Sequence, residues 1–418
     1  MRVLWFSITP AKYGAYATNG GGWIESLQRV VSMADYIDLG IAFMNPTIPQ
    51  SNKVEQDGVT YYPMHIHRSW LQTWKDIYTN KEIDPLIIQR CKDVISDFRP
   101  DVIHIFGSEW CFGLLYKHTD IPVVIHMQGC WPAYWDKEKA LRKNDCFFYK
   151  KMLPRPRRLL KYWLDINQCN ERAVREEEIL QNTKHFMGRT SWDKALMELY
   201  APKATYYYCS EALRGAFIDC KERWSYKNRG KRVFVSTGLA TNIKGYETLL
   251  KAAALLKRFA PFDFEWRLMG PTGWQMSFFE HKAGVKCEDV NVVPCGNQSA
   301  DAIMHELLNA DCYVHPSSID NSPNAVCEAQ FLGLPVVATN VGGVRSLFAG
   351  DYDESLLIAP AEPHIMANQL IKLMEDENRM INAAESNYTL AHERHADENI
   401  LRDLSNCYSS VINNRQLW

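Results

Sequence analysis

Two carboxylates, Asp320 and Glu328, stand eight positions apart inside HPSSIDNSPNAVCEAQFLGLPVVATNVGG, the stretch from His315 to Gly343. When ionised, both are acceptor-only, so they suit a ligand rich in hydroxyls, such as a sugar ring or a ribose. Asn321, Ser322, Pro323 and Asn324 follow the first acid. With Ser322 read as an N-cap and Pro323 as the first helical residue, they open a short helix that stops at Gly333. A helix start presents unpaired N–H groups and the positive end of a dipole, which suits a phosphate. Two carboxylates beside a diphosphate alone would repel it. The set therefore fits a nucleotide sugar better than a bare nucleotide.

The elements that must position these groups are legible on either side. Asp311 to His315 reads as a strand ending just before the loop, and Pro335 to Thr339 reads as a second, buried parallel strand. Strand, loop, helix, strand is a βαβ unit, and open α/β sheets bind ligands at the carboxyl ends of their strands.

This stretch resembles the retaining glycosyltransferases of family 4, also called group 1, which have the GT-B fold. Their signature sets two acids with seven residues between them ahead of a small-residue, glycine, Pro-Val-Val run. Here the first acid is Asp320, in place of the commoner glutamate, and the second is Glu328. The match continues through Gly333, Pro335 to Thr339 and Gly342-Gly343. Two further segments, GRTSWD at 188–193 and YYYCSEALR at 206–214, look like a bacterial branch of that family. The resemblance implies an α/β protein with two Rossmann-like doubly wound parallel-sheet domains, an interdomain cleft and a C-terminal crossover helix. It gives Asp320 the hydroxyls of the donor sugar and Glu328 those of the ribose. It implies transfer from a nucleoside-diphosphate sugar with retention of configuration, although no carboxylate stands out as a covalent nucleophile.

The same resemblance directs attention to Thr237–Gly245, where the family carries a Gly-Arg pair and then Lys-Gly, both cations binding the donor pyrophosphate. Gly238 and Lys244-Gly245 match, but Leu239 stands where the arginine is expected. Arg189 or another basic residue is left to compensate; the simpler role for Arg189 is an ion pair with Asp193. Near the N-terminus, a strand from Arg2 to Ser7 leads to Asn19-Gly20-Gly21-Gly22 and a helix from Trp23. Contiguous glycines let backbone approach an anion, and similar loops of GT-B transferases face the donor phosphates, though a flexible turn alone would explain them. His126 ends the apolar run Ile121–His126. A strand-end histidine is commonly structural, but the family has a functional one at the matching point, which makes His126 a sugar-hydroxyl contact. His104 is read as structural.

Alternation of apolar runs and amphipathic segments over 418 residues fits two domains. They are taken as 1–215 with the C-terminal helix at 397–418 on the acceptor side, and 216–396 on the donor side. The polar stretch Lys221 to Lys231 is read as the linker. A net charge of -2 gives no reason to expect nucleic acid. Twelve cysteines without a CxxC pair suggest neither a zinc site nor a disulfide framework. No cofactor or metal is expected. Asp351-Tyr-Asp353 spells the Asp-x-Asp of metal-dependent transferases, but an exposed acidic turn is the simpler account.

No apolar run is long enough for a signal peptide or a membrane span, so a cytoplasmic protein is expected. Residues 137–161 interleave ten basic side chains with aromatic and leucine residues. That pattern suits peripheral contact with an anionic membrane or a lipid-linked acceptor, and equally a solvated face. The expected partners are a nucleotide sugar and a glycan or lipid-linked acceptor, as in surface polysaccharide or glycolipid assembly. Two other readings stay open: a GT-B sugar-nucleotide epimerase, and a non-catalytic subunit that binds a sugar nucleotide.

Overall fold

A computed structural model describes residues 1–13, 22–45, 53–76, 83–143 and 156–415. The chain divides into two compact units, Met1–Ala212 with Asp397–Trp418, and Leu213–Ala396.

In the first unit the strands are β1 (Arg2–Ser7), β2 (Asp38–Met44), β3 (Val54–Gln56), β4 (Val59–Met64), β5 (Val102–Phe106), β6 (Val123–His126), β7 (His185–Gly188) and β8 (Thr205–Tyr208). Among the described residues they form one sheet in the order β3-β4-β2-β1-β5-β6-β7-β8. Every pairing is parallel except β3 with β4. Every residue of β5 is buried, as expected of a parallel strand covered on both faces. The helix Ile83–Phe98 shows why it packs there. Ile87, Ile88, Cys91, Val94, Ile95 and Phe98 recur at helical spacing and are buried, giving one apolar stripe for the sheet. The C-terminal helix Asp397–Arg415 buries Ile400, Leu404, Cys407, Tyr408 and Val411 in one cluster with Val3, Trp5 and Val124. Truncating Leu404 to alanine there should cost about 2–5 kcal/mol.

The second unit contains β9 (Lys231–Thr237), β10 (Asp263–Met269), β11 (Val292–Gly296), β12 (Cys312–His315), β13 (Val336–Thr339) and β14 (Leu357–Ile358). Their order is β11-β10-β9-β12-β13-β14, parallel throughout. From β9 the chain builds outward first through β10 and β11, then on the other side through β12 to β14. The switch point therefore lies between β9 and β12, and the loops leaving those strands flank the place where open α/β sheets take ligands.

The stretch 221–230 is not a free linker. Trp224 is buried, its indole N–H donates to Ala310 O at 2.8 Å, and its backbone N–H donates to Leu332 O at 2.8 Å. Arg223 pairs with Glu385 at 2.7 Å. One buried tryptophan ties this polar run to the second unit, a constraint that charge patterning does not reveal.

Candidate functional site

The loops that leave β9 and β12 are held together by backbone. Ser318 N–H donates to Ile243 O at 2.7 Å. Gly245 has φ 70°, and a Cβ built on it would lie 1.8 Å from the carbonyl oxygen of Pro316. Only glycine permits that approach. The Lys244 ammonium is thereby brought 2.6 Å from Oδ2 of Asp320. Ser317 Oγ donates to the same oxygen at 3.3 Å, and His315 Nε2 lies 3.2 Å from it. Burial raises the carboxyl pKa of Asp320. The charge of Lys244 and the contact with His315 outweigh that effect and hold it below the usual carboxylate range. His315 is itself pushed down, chiefly by burial.

The glycine pair after β13 completes the setting of Asp320. Gly342 has φ 52°, and a Cβ there would stand 2.0 Å from Asp320 O, while Gly343 N–H donates to that same carbonyl at 3.0 Å. The glycines fix the backbone of the acid by approaching it closely.

The helix that follows spans Asn324–Phe331, with Pro323 at the N-cap position in extended conformation and no side-chain cap. This corrects the expectation of Ser322 as cap and Pro323 as first helical residue. Pro323 has ψ 111°, outside the helical range, and its carbonyl accepts from Val326 N–H at 2.9 Å. Asn321, Ser322 and Pro323 are buried, and Asn324 is half-buried. The helix ends at Leu332, followed by Gly333 with φ 77°.

Glu328 is 2% exposed and is held in a fork by Arg214, whose Nε and Nη2 donate to its two oxygens at 2.6 and 2.7 Å. Such a bidentate charge-assisted pair fixes the orientation of the carboxylate. The sequence reading missed Arg214 as a site residue although it lies within YYYCSEALR. The 114 positions between it and Glu328 give no local signal. Gly238, at the end of β9, has φ 154°, and Leu239 beside it is 70% exposed, an apolar side chain where a cation was expected.

The remaining singled-out residues belong to the first unit. Gly20 and Gly21 lie outside the described residues; Gly22 begins the helix Gly22–Val31. Arg189 is 4% exposed, and its guanidinium lies 3.5 Å from Glu211 rather than pairing with Asp193. Asp193 instead accepts from the backbone N–H groups of Arg189 and Thr190, at 2.9 and 3.2 Å, closing a capping box on the helix Ser191–Tyr200. Arg189 also packs over the Trp23 ring at 5.3 Å. His126, at the end of β6, is fully buried and edge-on to Trp23, with centroids 5.3 Å apart. Its Nδ1 lies 3.2 Å from His104 Nε2.

Of the basic segment 137–161, residues 144–155 lie outside the described residues. Arg142 donates to Glu138 and Asp165 at 2.8 and 3.1 Å, and Lys139 pairs with Asp136 at 2.7 Å. Asp353 is bound to Arg379 at 2.6 Å and caps Ser355 at 3.0 Å. Among the described residues no helix is long and apolar enough to cross a membrane.

A switch-point cation, two buried carboxylates and a glycine pair locking one of them thus lie in the second unit, at the end of the sheet where open α/β folds take ligands. Residues 230–376 match the family model described as glycosyl transferases group 1. A D-inositol 3-phosphate glycosyltransferase of Corynebacterium urealyticum is 30% identical over 193 residues, 43% of this chain and 43% of that protein. The chain thus aligns with less than half of that relative's length. A putative teichuronic acid biosynthesis glycosyltransferase of Bacillus subtilis is 38% identical over 71 residues, 17% of this chain and 18% of that one. Sucrose-phosphate synthase from Thermosynechococcus elongatus superposes with a TM-score of 0.72 at 13% identity over 99% of both chains. HepE of Anabaena, solved in complex with UDP-glucose, gives 0.62 at 14% identity over 98% of this chain and 100% of that one. The family match thus falls within the second unit, and the fold is GT-B.

Proposed function

We propose that the protein transfers a glycosyl group from a nucleoside-diphosphate sugar to an acceptor hydroxyl with retention, without a resident cofactor or metal. The observation that carries this reading is the Lys244–Asp320 contact at the β9/β12 switch point, next to the start of the helix Asn324–Phe331. Transfer breaks the bond from the anomeric carbon to the diphosphate and forms one to the acceptor oxygen, whose proton passes to solvent or to the released diphosphate. Charge grows on the leaving oxygens, so stabilisation must be aimed there. Lys244 and the N–H groups of Asn321, Ser322 and Asn324 supply it, with the backbone of Gly238 leaving room for the phosphates. Asp320 accepts from hydroxyls of the donor sugar and Glu328 from the ribose, each carboxylate held by its cation. His126 contacts a sugar oxygen.

The teichuronic acid and inositol phosphate named for the relatives support a hydroxyl-rich acceptor, a glycan or a lipid-linked intermediate of surface polysaccharide or glycolipid assembly. Contact with the inner membrane face through 137–161 is the corresponding placement in a cytoplasmic protein. The ion pairs of Arg142 and Lys139 reduce the charge available for it. A thermal-shift panel of UDP-, GDP- and ADP-sugars tests the reading, because a ligand selective for the folded state raises Tm. One donor should stabilise the protein and be consumed when an acceptor is present; no shift with any of the three would contradict the assignment.

A further inference from the structure

Four buried side chains of the first unit form a chain of contacts that runs from the C-terminal helix to the end of β6. Trp5 Nε1 lies 3.2 Å from Tyr408 Oη, which lies 2.6 Å from His104 Nδ1. His104 Nε2 in turn lies 3.2 Å from His126 Nδ1. His126 Nε2 is buried and has no partner among the described residues. All four residues are fully buried.

The chemistry of the two ends sets the direction. An indole N–H can only donate, so Tyr408 Oη accepts from Trp5. Tyr408 keeps one proton, and its remaining neighbour is His104 Nδ1, so the hydroxyl donates there. His104 then has its lone pair on Nδ1 and its proton on Nε2, which donates to His126 Nδ1. His126 must carry its own proton on Nε2. Running the protons the other way would strand the Tyr408 hydroxyl hydrogen as well as the His126 Nε2 lone pair, leaving two unmatched buried groups instead of one. Burial keeps both imidazoles neutral, pushing His104 down to about 3 and His126 well below its ordinary range.

We propose that Trp5, Tyr408 and His104 are positioning residues that lock His126 as the neutral Nε2–H tautomer, so that His126 offers a hydrogen-bond donor to a substrate oxygen. It follows that Nε2 of His126 has no lone pair with which to take the acceptor's proton. The consequence for substrate rests on the proposed function; the tautomer does not. An unmatched buried donor is costly, so an oxygen lone pair, from a hydroxyl or a phosphate, is the chemistry that fits against it.

The test is a long-range proton–nitrogen NMR spectrum of protein labelled with 15N-histidine, with the His126 signals identified by their loss in His126→Gln. The expected result is a single Nε2–H form for both His104 and His126, and a tautomer mixture at both in Tyr408→Phe, which removes only the hydroxyl. Trp5→Phe, which removes the N–H that obliges Tyr408 to accept, should loosen the preference in the same direction if the tyrosine variant fails to fold. The donor KM should rise about two- to tenfold in the folded variant, the worth of one hydrogen bond. An Nδ1–H form of His126 in the wild type, or a tautomer unmoved by both substitutions, overturns the relay. If the tautomer is as expected but a saturating UDP-, GDP- or ADP-sugar that raises Tm leaves the His126 Nε2 resonance unshifted, the relay stands and the substrate role of His126 falls.

Discussion

Lys244 Nζ and Asp320 Oδ2 are 2.6 Å apart, so the cation and the carboxylate offered to a ligand at the switch point are offered as a pair. The side chains are 24% and 12% exposed, which makes this a partly buried contact rather than a surface one. On the proposed function, a diphosphate arriving there would share the ammonium with Asp320, while the carboxylate, held ionised, would accept from hydroxyls.

Removing one partner of such a pair should be worse for folding than removing both. Lys244→Met leaves Asp320 ionised without its cation and is expected to cost about 3 kcal/mol, measured by urea unfolding. Lys244→Met with Asp320→Asn should recover most of that loss, to within about 1 kcal/mol of wild type. Neither variant should retain transfer above about one hundredth of the wild-type rate, because the leaving diphosphate loses its countercharge. Full activity in the stable double variant would contradict the role given to Lys244.

Arg214 orients Glu328 through two donors, and the loss of either should be felt. Arg214→Ala removes both of these charge-assisted hydrogen bonds from a carboxylate that is 2% exposed, at a cost of about 3 kcal/mol. Arg214→Lys keeps the charge but not the planar fork, so stability should fall less while nucleotide Kd rises about fivefold through misorientation of Glu328. An unchanged Kd in the lysine variant, read by calorimetry, would place Arg214 in a purely structural role.

Stability should also decline on the acid side through the buried histidines. The folded pKa of His104 is depressed to about 3 from an ordinary 6.5, so the unfolded chain takes up a proton first as pH falls. Its contribution is intact above about 6.5 and is lost progressively from there towards about 3. Replacing His104 by Gln should flatten the dependence of unfolding free energy on pH between about 6 and 4.5, the upper part of that window. A slope identical to wild type would show that His104 is not held neutral.

Much of the donor-side loop was legible because its chemistry is local. Asp320, Glu328, Gly333 and the Gly342-Gly343 pair lie within one stretch, and the close approach of Gly342 to Asp320 O explains why glycine stands there. Position 244 was legible through its glycine neighbour, whose contact with Pro316 is what brings the lysine to the acid. Partners distant in sequence were not legible. Arg214 meets Glu328 across 114 positions, and Tyr408 meets His104 across 304. Of the two roles open for Arg189, an anionic ligand or an ion pair with Asp193, the second does not form: Asp193 serves the backbone of the next helix and Glu211 lies against the guanidinium. Local spacing identifies groups able to do chemistry; which of them neutralise one another is decided by strand order.

The central claim is that the loops after β9 and β12 hold the diphosphate of a nucleotide sugar. Calorimetric titration of wild type and of the Lys244→Met, Asp320→Asn double variant with the preferred nucleoside diphosphate, and with the corresponding nucleoside, tests it most directly. The account predicts that the diphosphate loses about tenfold or more in affinity in the variant, the worth of a charge-assisted hydrogen bond, while the nucleoside binds both proteins alike. Equal affinity of both proteins for the diphosphate would contradict it.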